Sequence, residues 1–135
     1  MRVEGQCHCG AIRYEADVEP GTIVICNCAD CQMQSGSAFR MNIPAPASGF
    51  RIITGTPSRY VKIADSGARR IHAFCGHCGG PIYACAAENP QRYSLRVGAL
   101  KQRYELGKPT RQIWTRRRFP WLHPMPGCEE CEGQP

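Results

Sequence analysis

The chain has 135 residues, 42% of them apolar, with 14 glycines, 11 prolines, ten cysteines and a formal charge of +6. That length suits one domain rather than two, and the frequent Gly and Pro favour short strands and turns over long helices. No apolar run approaches the ~20 residues of a membrane span, and the start MRVEGQCHCG places cysteines where a leader would need an apolar core, so a protein of the cytoplasm with no membrane partner is expected.

In chain order, AIRYEADV (11–18) partly alternates, as a half-buried strand does. TIVIC (22–26) is a β-branched run of the kind buried on both faces, and it ends in a cysteine. ADCQMQSG (29–36) has room for one or two helical turns before Gly36 stops it. SAFRMNI (37–43) alternates again, with Pro44 and Pro46 closing it. FRIITG and SRYVKIA flank Thr56-Pro57 and read as a hairpin. ARRIHAFC (68–75), PIYACA (81–86), YSLRVGAL (93–100) and the start of QIWTRRRFPW (112–121) read as further strands, the last ending at Pro120. PMPGCEECEGQP reads as a loose tail. The expectation is a mainly β, antiparallel fold with little helix, as one domain over residues 1–125 and a tail over 126–135.

In a reducing compartment clustered cysteines hold metal more often than disulfides. CGHCGG, with Cys75 and Cys78, resembles a zinc knuckle, its glycines allowing the tight turn that aims backbone N–H groups at sulfur. CHCG, with Cys7 and Cys9, is a similar half-site. Together the two pairs supply the four thiolates of a closed structural zinc site. Seven thiolates on two divalent ions would halve the formal charge, so the basic balance alone does not point to nucleic acid.

CNCADC supplies only three sulfurs, from Cys26, Cys28 and Cys31. Zinc sites that perform chemistry keep three protein ligands and one open position. The competing reading is closure by a distant donor: His8, His72, His77, His123, Cys85, Cys128 or Cys131. Zinc bound to three thiolates is soft and carries net negative charge, which suits another thiol better than hydroxide. A thiol bound there loses its proton and can add to an aldehyde carbonyl. Arg40 and the Arg116–Arg118 run are candidates for attracting an anionic thiol, and Asp30 and Ser35 lie near the cluster in sequence.

The segments GQCHCGAIRYE, CNCADCQMQSGSAF, FCGHCGGPIY and QIWTRRRFPW resemble, in order and spacing, the glutathione-dependent formaldehyde-activating enzymes and the related centromere protein V-like domains. The resemblance spans roughly residues 5 to 121 and rests on three linked cysteine motifs. It implies a β-tent fold built around two zinc ions. One would be structural, on Cys7, Cys9, Cys75 and Cys78, and one catalytic, on Cys26, Cys28 and Cys31. It further implies a carbon–sulfur lyase that joins glutathione and formaldehyde reversibly into S-hydroxymethylglutathione, so that a small thiol and a small aldehyde are the expected partners.

Two other functions use the same residues. A non-catalytic zinc module could bind a macromolecule through Arg116–Arg118 with Trp114, Phe119 and Trp121 interleaved; core or pocket roles for Trp114 and Trp121 are preferred, and nucleic acid is not the expected partner. An incomplete cysteine cluster could also release zinc on oxidation.

Overall fold

The computed structural model describes residues 1–135. Eleven strands form two sheets. β1 (Arg2–Gln6), β2 (Arg13–Asp17) and β5 (Arg51–Thr54) make an antiparallel sheet in the order β1-β2-β5. The larger sheet holds β3 (Val24–Cys26), β4 (Arg40–Pro46), β6 (Ser58–Ile63), β7 (Arg69–Phe74), β8 (Pro81–Ala86), β9 (Arg92–Arg96), β10 (Arg111–Ile113) and β11 (Glu129–Glu130), in the order β11-β10-β3-β4-β9-β8-β7-β6. The one α-helix, α1 (Ala29–Ser35), stops at Gly36, whose φ of 63° satisfies the end of the helix in a left-handed cap. The fold is mainly β with little helix, as the sequence implies, and it is antiparallel apart from β10, which runs parallel to both β3 and β11.

Strand alternation builds the core. In β1 and β2, Val3, Tyr14 and Ala16 face inward between exposed neighbours. They meet Ile43, Ala45, Ile82 and Leu95 from the larger sheet, all with no measurable exposure except the inward faces of Tyr14 at 1%. Each valine, isoleucine and leucine among them contributes about 1.5–3 kcal/mol by leaving water. Phe50, Tyr83 and Tyr93 close the end of this core, with ring centroids 4.4 to 5.4 Å apart. Gly5 lies directly over the Tyr14 ring, where a Cβ would come within 2.2 Å of it, so the position admits no side chain.

Four expectations are corrected. Residues 51–63 do not form a hairpin: β5 pairs with β2 and β6 pairs with β7, so the chain crosses between sheets. Gly55, at φ +81°, packs against the Ala11 carbonyl and pins that crossing to the small sheet. Pro44 and Pro46 do not end β4, which pairs with β9 through Pro46. Two residues apart, both imino nitrogens lie on the same edge, which leaves residues 43 and 45 to carry the ladder. β9 ends at Arg96, and a 3-10 turn over Val97–Ala99 then leads to the bridge between Leu100 and Gly5 that joins the sheets.

The fourth correction concerns the C-terminus. β10 ends at Ile113, because Trp114 takes a left-handed conformation at φ 54°. The last residues are not loose. β11 pairs with β10, the Cys131 N–H donates to the Gln112 carbonyl at 2.9 Å, and Gly133 and Glu132 accept from Trp114 and Arg116. Trp121 is 67% exposed, so it is neither a core nor a pocket residue, whereas Trp114 is half-buried with its Nε1–H donating to Gln134 at 3.0 Å.

Candidate metal centres and adjoining pocket

The N-terminal strand of the small sheet and the β7–β8 turn bring Cys7, Cys9, Cys75 and Cys78 together, with all four sulfurs within 4.8 Å of one another. Two of the separations are 3.7 and 3.8 Å, from Cys9 Sγ to Cys7 Sγ and to Cys75 Sγ. Sulfurs at the corners of a tetrahedron around zinc, with bonds of about 2.3 Å, lie ~3.8 Å apart, so the quartet fits that ion as it stands. Backbone N–H groups point at the sulfurs: Ile12 at Cys7 (3.3 Å), His77 and Cys78 at Cys75 (both 3.4 Å), and Gly80 at Cys78 (3.4 Å). These bonds stabilise thiolates. The N–H groups around Cys78, together with the neighbouring sulfurs, hold its thiol down at about 6. Cys7 and Cys75 are buried at 2% exposure, as befits a site that fastens two distant parts of the chain.

Cys26, Cys28 and Cys31 form the second cluster, again with sulfurs within 4.8 Å of one another. Cys26 ends β3, Cys28 is the N-cap of α1, and Cys31 lies in the first turn, where its N–H donates to Cys28 Sγ at 3.3 Å. No histidine, aspartate, glutamate or further cysteine shares that radius. Hydrogen bonds from Cys26 and Cys31 hold the Cys28 thiol down at about 2, while the same contacts push Cys26 far up. Three sulfurs this close share protons around one thiolate, and a soft cation would displace the others. The donor set therefore fits zinc as well as the quartet does.

The loop carrying this trio is held from beneath. The Asn27 N–H donates to the Ile113 carbonyl at 3.1 Å, and its side-chain nitrogen reaches the same carbonyl (3.1 Å) and Gln112 Oε1 (3.3 Å). Gln32 Nε2 donates to the Arg117 carbonyl at 2.9 Å. On the other side Lys62 of β6 pairs with Asp30 of α1 at 2.6 Å. Asp30 is thus engaged with a lysine, and Ser35 Oγ reaches only the Phe39 carbonyl.

Beside the trio lies a cavity of about 340 Å³, lined by Gln34, Arg40, Tyr60, His72, Phe74 and Arg96 among others. Arg40 stands opposite Cys26 in the β3–β4 ladder and donates to Gln34 Oε1 at 3.4 Å. Arg96 donates from Nη1 to Asn42 Oδ1 and from Nη2 to His72 Nδ1 at 3.3 Å. A guanidinium only donates, so the His72 proton sits on Nε2. Burial, then the Arg96 and Arg40 charges, lower His72 to about 4, so the imidazole is neutral at neutral pH. Burial and Arg40 likewise lower Arg96. A groove of about 400 Å³ over the small sheet contains no cysteine, and its Lys101 and Glu15 are already paired, with Glu4 and with Arg2 and Arg51.

Of the residues singled out from sequence, all seven cysteines of the two clusters come together as two groups, and Arg40 lies beside the trio. His72 faces the pocket but does not join the trio's sulfurs; nor do His8, His77, His123, Cys85, Cys128 and Cys131. Cys85 is buried in the core at 1% exposure. Arg118 pairs with Glu130 and Arg116 with the Glu132 carbonyl, so the C-terminal segment occupies much of the basic run. Sequence reasoning missed Arg96, Lys62 and Gln34; nothing in YSLRVGAL marks the arginine as different from any strand-end charge.

The family model described as glutathione-dependent formaldehyde-activating enzyme matches residues 2–117. The fold is also similar to the crystal structure of a Rhodobacter sphaeroides protein, with a TM-score of 0.60 and 25% identity, covering 78% of this chain and 95% of that one. No helix is long and apolar enough to cross a membrane.

Proposed function

Because the chain belongs to the glutathione-dependent formaldehyde-activating enzyme family, we propose that it is a zinc-dependent carbon–sulfur lyase acting on a thiol–aldehyde adduct of the S-hydroxymethylglutathione type. The observation that supports this most is the trio of sulfurs from Cys26, Cys28 and Cys31, with no fourth side-chain donor in reach and a basic cavity alongside. Cys7, Cys9, Cys75 and Cys78 would hold a structural zinc, and the trio a catalytic one. A thiolate environment of this kind is kept in a reducing compartment, which supports the cytoplasm as the site of action.

A zinc ion held by Cys26, Cys28 and Cys31 would supply the Lewis acidity that lowers the pKa of an incoming thiol. The reaction is an addition without redox: the thiol sulfur bonds to the aldehyde carbon, the carbonyl π bond opens, and the thiol proton ends on the new hydroxyl. Cleavage is the reverse. The chain's own part is to hold the trio and shape what reaches it. Asn27 and Gln32 fix the loop to β10 and the turn after it. Lys62, held by Asp30, places positive charge near Cys28 and Cys31. Arg40 and Arg96 set a positive field on the cavity side of Cys31, and Phe74 and Pro81 supply its apolar wall.

The test is direct. The purified chain should contain two zinc ions and accelerate the exchange between labelled formaldehyde and its glutathione adduct in magnetisation-transfer NMR. With cobalt in place of zinc, glutathione should change the thiolate–cobalt absorption of one site and leave the other unchanged. A two-metal protein with neither response would overturn the proposal.

A further inference from the structure

The larger sheet ends differently at its two edges. β11, at one edge, is two residues long and carries Glu129 and Glu130, a short charged strand of the kind that discourages further pairing. β6, at the other, runs for six residues, Ser58–Ile63, with no proline, and pairs only with β7, without a break in register. Just past it, the Ala64 N–H donates to the Ala68 carbonyl at 2.8 Å. Alternation from that pair turns the backbone N–H and C=O groups of Ser58, Tyr60 and Lys62 towards β7. Those of Arg59, Val61 and Ile63 therefore point out from the open edge.

The side chains of this strand are also unlike those of a protected edge. Three of the nine large apolar side chains exposed on the molecule lie on it: Tyr60 at 56%, Val61 at 39% and Ile63 at 64%. Val61 stands opposite Ile71, a core residue, and Arg59 opposite the buried Ala73. The odd-numbered side chains thus continue the core face of the sheet past its rim, where nothing covers them. Tyr60 and Lys62 lie on the other face, where Tyr60 lines the cavity beside the trio and Lys62 is bonded to Asp30. A lysine on an edge strand commonly repels an incoming strand; here its charge is already met.

We infer that β6 is a self-association edge: β6 of a second copy pairs antiparallel with it about a two-fold axis at Val61, joining the two larger sheets into one. The strand is its own complement in this register. Arg59, Val61 and Ile63 meet Ile63, Val61 and Arg59 of the second copy, and each pair exchanges two bonds, about six backbone hydrogen bonds in all. On the uncovered core face Val61 meets Val61, and Ile63 meets the aliphatic stem of Arg59. On the other face Tyr60 meets the stem of Lys62, and no cation stands directly opposite another. The exposed Asp65 follows β6 and lies diagonally across from Arg59 of the second copy, which gives two symmetry-related ion pairs. Neighbouring registers are worse. An axis at Lys62 sets two lysines face to face, and an axis at Tyr60 sets Ile63 opposite Pro57, which has no N–H to give. The pairing is closed, so it stops at two copies. It goes beyond the lyase reading and does not depend on it, although Tyr60 brings the second copy alongside the cavity wall.

The experiment uses the zinc-loaded full chain. Sedimentation equilibrium should show one- and two-copy species, the second rising with concentration. Val61→Pro removes an outward-facing N–H and leaves the β6–β7 ladder whole, and Val61→Lys puts two charges together at the axis. Each should weaken pairing about tenfold or more, the scale of two lost hydrogen bonds. Zinc content and circular dichroism identify any variant that has failed to fold, and hydrogen exchange on the wild type needs no variant: the amides of Arg59, Val61 and Ile63 should slow as concentration rises, while those of Tyr60 and Lys62 should not change. Arg59→Asp and Asp65→Arg should each weaken pairing severalfold, and mixing the two variants should restore it. A single-copy protein up to millimolar concentration would overturn the proposal. So would pairing that survives both Val61 substitutions, unchanged exchange at residues 59, 61 and 63, or a mixture of the two charge variants that pairs no better than either alone.

Discussion

Asn27 is joined to Ile113 twice, its backbone N–H and its side-chain nitrogen both donating to the same carbonyl at 3.1 Å. Since Asn27 lies between Cys26 and Cys28 and has no solvent exposure, the shape of the three-sulfur loop is set by a strand more than eighty residues away. Asn27→Ala keeps the backbone donor but removes the side-chain one and leaves Gln112 Oε1 buried without its partner. A loss of about 1–3 kcal/mol is expected. Thermal unfolding should show it, and a competing chelator should extract the trio's zinc faster from the variant than from the wild type.

The two clusters should respond differently to the loss of one sulfur. Cys75 is buried and accepts from two backbone N–H groups, so Cys75→Ser removes a ligand whose binding is inseparable from folding. Insoluble or unfolded protein is expected. Cys28→Ser should stay folded, because the position is an N-cap and serine is among the best N-cap residues. It should retain one zinc and lose adduct exchange. Equal folding and equal zinc content in both variants would contradict the division of roles.

How much of this was legible in the sequence differs between backbone and pocket. Cysteine spacing identified both clusters, because a metal constrains its ligands within a few residues of one another. The helix from Ala29 to Ser35 was legible from Gly36, whose lack of a Cβ suits a left-handed stop. Strand pairing was not. The run 51–63 contains two strands and a turn signal, yet β5 pairs back with β2 in the small sheet and β6 pairs forward with β7 in the larger one. Prolines at 44 and 46 argue against a strand only where both edges need donors. Arg96 looked like any exposed strand residue, since only the packed structure reveals that Asn42, His72 and Arg40 surround it.

His72 gives a pH dependence whose sign is fixed. Burial and the Arg96 and Arg40 charges lower it from the ordinary histidine value to about 4. Between these values the unfolded chain binds a proton that the folded chain refuses. Its contribution to stability is therefore complete above the ordinary histidine range and is lost as the pH falls through it towards 4. The half-exposed ring limits the effect to on the order of 1 kcal/mol. Cysteine protonation also weakens metal-bound protein in acid, so the useful quantity is a difference: His72→Gln should show a shallower loss of stability than the wild type between pH 7 and pH 5 in urea titrations.

The C-terminal segment, 118–135, lies beyond the residues matched by the family model, yet it is tied to the part of the fold that supports the trio. Glu129 and Glu130 pair with Arg111 and Arg118, Cys131 bonds to Gln112, and Gly133 and Gln134 hold Trp114. Each exposed ion pair is worth little, but together with the β10–β11 ladder they fix the strand to which Asn27 is bonded. Across the extended β11, Cys128 and Cys131 stand too far apart for a disulfide, and neither joins a metal cluster. Cys128→Ser and Cys131→Ser should therefore leave two zinc ions per chain. Removal of residues 128–135 should leave the core and the four-cysteine zinc intact. It should shift Trp114 fluorescence, lower the melting temperature by a few degrees and weaken zinc retention at the trio. Unchanged retention at the trio after truncation would show that β10 holds its position without this clasp.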